Sequence, residues 1–254
     1  MSFKVYIPAR YASTRLPGKV LETIGGRTML ELVHERARES GATEVVIATD
    51  DARIARVAEG FGARVCMTDR ELRTGTDRIA AAAALRGEAD TQVIVNLQGD
   101  EPFMPAAVIA QVAAQFGAPL APDIATVCEP LRDRAEYEDP NVVKVVRAAN
   151  DLALYFSRAC IPHLRDGGLE AWRAGPLQRR HVGIYGYTVG FLQRYVAWAP
   201  TALEISERLE QLRALVHGAR IAVPDAVAPC GVGVDTPADL SRARALRAGG
   251  SPHG

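Results

Sequence analysis

The stretch VYIPARYASTRLPGK, residues 5–19, passes from an apolar run into a loop that carries Arg10, Arg15 and Lys19 and is broken by two prolines and a glycine. Such a run ending in Pro and Gly reads as a buried strand and its exit turn. The pattern of the next segments decides the fold class. TMLELVHERARES, residues 28–40, has helical spacing and is stopped by Gly41; EVVIATD, 44–50, is a second strand, and DARIARVAEGFG, 51–62, a second helix. ARVCMT at 63–68, TDRIAAAAAL at 76–85, TQVIVNL at 91–97 and PAAVIAQVAAQF from Pro105 continue the alternation. Short β-branched runs alternating with helices predict βαβ units on a parallel sheet. The nearly all-apolar TQVIVNL predicts a central strand covered on both faces.

Beyond GAPLAPD, residues 117–123, the rhythm changes. IATVCEP, NVVKVVRA and HVGIYGYTVG read as strands with fewer helices between them, hence an antiparallel or mixed extension. A helix over SERLEQLRALVHG, 206–218, a short strand RIAVP and a last helix from Pro237 complete the chain. Ile205, Leu209, Leu212 and Val216 form an apolar stripe on that predicted helix, with Glu210 and Gln211 beside it. There is no repeat and no low-complexity linker, so 1–254 reads as a single domain.

With 48% hydrophobic and 24% charged residues, the 254-residue chain has the composition of an ordinary globular protein. Thirty basic residues balance thirty acidic ones, so no global field draws it to nucleic acid or to an anionic membrane. Any anion chemistry must be local. Cys66, Cys128, Cys160 and Cys230 are scattered and form no C-x-x-C pair, which points to reduced thiols rather than a zinc site or disulfides. The first apolar run is too short for a signal peptide, and no apolar stretch reaches the roughly 20 residues of a membrane span. A cytoplasmic protein without membrane insertion is expected.

In open α/β sheets ligands bind beyond the carboxyl ends of the strands. Both the opening loop and QGDEP, after TQVIVNL, leave at that edge, so loops of opposite charge are expected to share a crevice. Neither G-x-x-x-x-G-K-[ST] nor a dinucleotide glycine fingerprint is present, so side-chain cations would have to hold phosphates. Arg10 and Arg15 can fork onto phosphate oxygens and Lys19 adds a point charge, although a solvated loop explains the charge equally well. Asp100 and Glu101 either complement a helix N-terminus or serve magnesium, which is commonly held by one or two carboxylates plus substrate phosphates. In GVDTPADL, residues 233–240, Thr236, Pro237 and Asp239 suit a helix cap, which leaves Asp235 as a candidate ligand. Thr74 and Gly75 precede Arg78 in TGTDR, a turn that can touch a planar base edge or merely cap a helix.

IPARYASTRLPGK, TGTDR, VNLQGDEP, NVVKVV, ALYFSRA, HVGIYGY, LEQLR and GVDTPADL occur in an order that closely resembles the 3-deoxy-manno-octulosonate (Kdo) cytidylyltransferases, from residue 1 to about residue 247. The resemblance implies a three-layer, nucleotide-diphospho-sugar transferase-like (Rossmann-like) α/β fold, with a mixed, mostly parallel sheet and a smaller antiparallel extension. It implies transfer of CMP from CTP to Kdo with release of pyrophosphate, dependence on Mg2+, a homodimer, and a product used in lipopolysaccharide synthesis. Arg10, Arg15 and Lys19 would hold the triphosphate, Thr74, Gly75 and Arg78 the cytosine, and Asp100 and Asp235 the metal. Gln98, Arg158, His181, Tyr185, Glu210 and Gln211 would form the sugar side. Strand alternation independently puts His181 and Tyr185 on one face. The nucleotide part would comprise about 1–117 and 218–247, and the sugar and dimerisation part about 118–217. The chain departs from the family pattern at Thr74, where serine is frequent, at Ile205-Ser206, where His-Ile is familiar, and at Cys230, where a smaller residue is common.

Overall fold

Period-two alternation in the strands divides the core into two layers. A computed structural model describes residues 2–12, 16–117, 121–166, 175, 177–231 and 233–248. In β1 (Phe3–Ala9), Val5, Ile7 and Ala9 join one apolar cluster and Tyr6 the other. In β4 (Glu44–Thr49), Val45 and Ile47 pack on the first side, Val46 and Ala48 on the second. A strand covered on both faces is nearly all apolar, as β6 (Val93–Asn96) also shows, with Asn96 its one polar residue.

Between β1 and β4 lie a hairpin and a helix. The hairpin is β2 (Thr23–Ile24) and β3 (Arg27–Thr28), whose turn uses Gly25 and Gly26 at φ 61° and 81°. Helix α1 (Met29–Glu39) is capped by the Thr28 hydroxyl, which accepts from the Glu31 amide. After β4 come α2 (Ala52–Gly60), β5 (Arg64–Met67) and α3 (Gly75–Leu85). β6 leads to α4 (Ala106–Ala114), with Pro105 just outside the helix rather than its first residue. The remainder is β7 (Ile124–Pro130), α5 (Arg134–Glu138), β8 (Lys144–Arg147), β9 (Ala153–Ser157), β10 (Arg179–Thr188), α6 (Val189–Ala197), α7 (Ala202–Glu207), α8 (Gln211–Val216), β11 (Ile221–Ala222) and α9 (Pro237–Ala248).

Among the described residues one mixed sheet runs β11-β7-β10-β6-β1-β4-β5, with β8 on β10 and β9 on β8. β6, β1, β4 and β5 are mutually parallel, while β10 is antiparallel to β6, β7 and β8. One face buries residues of α1, α2 and α4, the other residues of α3, α6 and α8. The expected three-layer fold and antiparallel extension are both present. Because β10 runs against β6 and pairs Tyr185 with Asn96, the earlier half of β10 projects beyond the carboxyl end of β6. His181 therefore reaches the same sheet edge as Arg10 and Asp100.

Two local expectations are corrected. The single helix over 206–218 is two helices, α7 and α8, separated by Arg208 in the left-handed region at φ 55°. Its carbonyls are claimed from outside: Arg158 Nε donates to the Glu207 carbonyl at 2.7 Å and the Tyr195 hydroxyl to that of Glu210 at 2.8 Å. The buried Arg213 guanidinium then folds α8 back onto Glu204 through two bonds of 2.8 and 2.5 Å. The proposed stripe splits accordingly, with Leu209 and Leu212 buried but Ile205 and Val216 60% and 52% exposed. The end of HVGIYGYTVG is likewise not strand: the Thr188 hydroxyl caps α6 by accepting from the Phe191 amide.

Candidate active site

The opening loop is built on Tyr11. Gly18 donates its amide to the Tyr11 carbonyl at 2.8 Å and turns at φ 69°, with its α-carbon so close to the Tyr11 ring that a Cβ would lie 3.0 Å from it. Arg53 stacks on that ring, 3.3 Å from its centroid. The turn delivers Lys19 to the sheet edge, where its ammonium bonds Asp100 and, at 2.8 Å, Asp235. Residues far apart in sequence thus converge on one cation. Arg15 lies outside the described residues.

Asp235 stands just before α9, whose cap is made by its neighbours. The Thr236 amide donates to Asp239 Oδ2 at 2.8 Å, and the Asp239 amide returns a 3.2 Å bond to the Thr236 hydroxyl. The Val234 amide donates to the Asp100 carbonyl at 2.9 Å and ties the two acidic loops together. Glu101 is packed against Gly233, and burial, then the charges of Asp100 and Asp235, push its carboxyl up to about 8. Asp100 and Asp235 thus share one ammonium between two carboxylates, which leaves a net negative charge at this edge. Among the described residues no group of three or more His, Cys, Asp or Glu is placed to cage a metal. A divalent ion at this edge would have Asp100 and Asp235 as its protein ligands and would need substrate phosphates or water for the rest.

Arg10 Nη1 donates to the Arg73 carbonyl, while its Nη2 is buried and has no hydrogen-bond partner. Burial and then the neighbouring Arg78 charge press against the charge on Arg10. An anion placed there would relieve both. Arg78 is fully buried beneath the turn, bonded to the Thr68 hydroxyl at 2.6 Å and to Asp50 at 3.1 Å. Thr74 is occupied in a capping box with Asp77, the bland alternative for TGTDR, yet Gly75 faces a cavity.

That cavity, about 280 Å³, is walled by Gly75, Gln98, Tyr185, Glu210 and Gln211 among others. A register irregularity in β10 between Val182 and Gly186 sets Gly183 and Tyr185 into the wall. The break after α7 sets Glu210 and Gln211 at the start of α8, facing the turn of Gly75. Burial raises the Glu210 carboxyl, partly offset by its bond to the Thr76 hydroxyl. The Gln211 amide nitrogen is buried without a partner. Gln98 donates to Asn96 at 3.1 Å. His181 lies behind this wall, 3.0 Å from the Thr126 hydroxyl and with its ring 5.3 Å from that of Tyr185. The Arg158 guanidinium spans the Pro140 and Glu207 carbonyls beside the α7 break and is not in the cavity lining.

The sequence reading passed over Asn96, Thr76 and Tyr187, which also line the cavity. Asn96 did carry a signal, as the one polar residue of the buried strand VIVN.

Burial pushes the His181 imidazole down to about 3, so the ring is neutral in the fold. Its folded value lies below the unfolded one, so it contributes stability at neutral pH that is lost as pH falls from about 6.5 towards 3. Between pH 6.5 and 4, His181→Gln is expected to lose less stability than wild type, by on the order of 2 kcal/mol in urea unfolding. Identical pH slopes would refute it.

The chain matches the family model described as Cytidylyltransferase over residues 5–221. It is 54% identical over 247 residues to the 3-deoxy-manno-octulosonate cytidylyltransferase of Thioalkalivibrio sulfidiphilus, covering 97% of this chain and 99% of the relative. Identity to the protein of that name from Pseudomonas syringae pv. syringae is 52% over 253 residues, covering 98% and 99% of the two chains. Among solved structures, CMP:2-keto-3-deoxy-manno-octonic acid synthetase complexed with CTP superposes with a TM-score of 0.89 at 39% identity, over 98% of this chain and 99% of that one. A 4-diphosphocytidyl-2C-methyl-D-erythritol synthase, 17% identical, shares the fold with a TM-score of 0.61, covering 96% of this chain and 97% of its own. The motif order read along the sequence, the three-layer sheet and these near full-length matches agree: the chain belongs to the 3-deoxy-manno-octulosonate cytidylyltransferase family.

Proposed function

We propose that this protein activates Kdo by the reaction CTP + Kdo → CMP-Kdo + pyrophosphate, with Mg2+ held by Asp100 and Asp235. The observation that carries the reading is the meeting of Asp100, Asp235 and Lys19 at the sheet edge, with Gln98 of the same loop in the cavity wall. Arg10, Arg15 and Lys19 hold the triphosphate. Thr74 and Gly75 lie against the cytosine, with Arg78 beneath them as a fixed positive charge. Gln98, Tyr185, Glu210 and Gln211 bind the sugar, supported by His181 and Arg158.

The anomeric hydroxyl attacks the α-phosphorus in line, forming the new P–O bond as the bond to pyrophosphate breaks, and the hydroxyl proton ends on the released pyrophosphate. Charge grows on the leaving group, so the protein's task is positioning and electrostatic stabilisation. Arg10 and Lys19 answer that charge, and neither loses its proton near neutral pH. A bound magnesium ion supplies further positive charge at the phosphates. The buried polar groups of the cavity orient the sugar and exclude water. No histidine base is needed, since the hydroxyl proton ends on the pyrophosphate.

The nucleotide part is assigned to about 1–117 and 218–247 and the sugar part to 118–217. A homodimer is carried over from the family resemblance, and a sizing measurement tests it. No described helix is long and apolar enough to cross a membrane; the cytoplasmic location is carried over from the family resemblance alone. The deciding experiment is a grid of nucleoside triphosphates against acid sugars, read by pyrophosphate release with and without magnesium. Turnover is expected for CTP with Kdo and only with the metal. Preference for a nine-carbon acid sugar would reassign the substrate, and CTP binding without any turnover would make the protein a regulator.

A further inference from the structure

Arg180 and Glu129 face each other across β10 and β7 as register partners. Their side chains are 14% and 12% exposed and form an ion pair. Both also grip the same backbone residue: Glu129 Oε1 accepts from the Cys230 amide at 2.6 Å, and Arg180 Nη2 donates to the Cys230 carbonyl at 3.3 Å. Cys230 stands in the irregular chain between β11 and α9, five positions before Asp235.

Among the described residues that chain has further ties spaced along it: the Ala226 amide bonds the Cys128 carbonyl at 2.8 Å, the Val227 amide bonds the Gln111 side chain at 2.9 Å, and the Val234 amide bonds the Asp100 carbonyl at 2.9 Å. Between these points it contains Gly231 and Gly233, residues with little conformational preference of their own. Both are pressed against the Asp100 loop: a Cβ on Gly231 would lie 2.7 Å from Phe103, and one on Gly233 2.8 Å from Glu101. Packing that close needs the incoming chain to be fixed, and the Cys230 grip is the tie that lies directly before the two glycines.

We infer that Arg180 and Glu129 are positioning residues that hold Asp235 opposite Asp100 and thereby set the affinity of the site for its divalent cation. The inference rests on the proposed two-carboxylate metal site. Neither residue touches the cation or the substrates; they act through the backbone at Cys230. Partners that orient metal ligands from outside are typically worth a large factor in metal affinity.

The test is Glu129→Leu combined with Arg180→Met, which removes both charges and leaves no unpaired ion buried. Mn2+ is titrated in the presence of CTP without sugar, and protein-bound Mn2+ is read by the enhancement of water proton relaxation, with protein-free Mn2+–CTP as the blank. The Kd for Mn2+ is expected to rise about tenfold. The KM for CTP at saturating Mn2+ should change by less than about threefold, because the triphosphate cations are untouched. If circular dichroism shows that the double variant does not fold, Glu129→Gln takes its place with a several-fold rise expected. A wild-type Mn2+ Kd in the folded variant overturns the inference. Asp235→Asn separates the two levels: weak Mn2+ binding there with normal binding in the clamp variant defeats the clamp alone, whereas normal binding in Asp235→Asn defeats the metal reading and the clamp with it.

Discussion

Asp235→Asn is expected to lower kcat by about 10²–10³-fold at saturating CTP, Kdo and magnesium, the scale of losing one preorganised electrostatic group at a transition state. The substitution keeps size and polarity but removes the charge, and an amide is a poor ligand for a hard divalent ion. Its effect on stability should be small because Thr236 and Asp239 bond each other in the α9 cap and the Asp235 side chain is 44% exposed. The unfolding midpoint is expected to stay within about 2 °C of wild type, the range of a surface substitution. Lys19 keeps Asp100 as a partner, so the loops are not left with an unpaired buried cation. Pyrophosphate release near the wild-type rate at saturating magnesium would remove Asp235 from the metal site. A large fall in the midpoint would recast the residue as structural.

The legible parts of the fold were those whose cause is local. β1, β4 and β6 could be read because burial on both faces forces unbroken apolar runs, and the stop of α1 because Gly41 comes directly after its last turn. The break between α7 and α8 was not legible, since LEISERLEQLR has helical spacing throughout. What breaks it is Arg158, Tyr195 and the Glu204–Arg213 pair, groups brought in by tertiary contact. The site divides in the same way. Asp235 could be singled out because its neighbours suffice for the cap. The burial of Arg78 could not be foreseen, because it depends on Asp50, 28 residues earlier on another strand end. Arg180 and Glu129 were invisible for a related reason: their pairing is set by the register of two strands that are not consecutive. Spacing put Glu210 and Gln211 beside the apolar stripe and the family resemblance named them for the sugar side; the broken helix places both in the cavity wall.

Lys19→Met should separate the nucleotide from the sugar more sharply than any other single change. The ammonium is 13% exposed and lies between Asp100 and Asp235, which hold its pKa up against burial, the largest opposing influence. It is charged throughout the working pH range, so the variant removes one full positive charge from the sheet edge. Where Lys19 grips the triphosphate, loss of a charge-assisted bond of about 1.5–3 kcal/mol raises the KM for CTP by roughly 10- to 100-fold. The KM for Kdo should move by less than about threefold, since the cavity walled by Gln98, Tyr185, Glu210 and Gln211 does not include Lys19. A second effect has the opposite sign. Without CTP the ammonium competes for the two carboxylates that would hold the metal, so its removal should tighten Mn2+ binding to the nucleotide-free protein. Weaker CTP use together with stronger metal binding is a pairing that general damage to the fold would not produce. Parallel losses for CTP and Kdo, or weaker metal binding in the variant, would mean that Lys19 serves to hold the two acidic loops together rather than to receive the triphosphate.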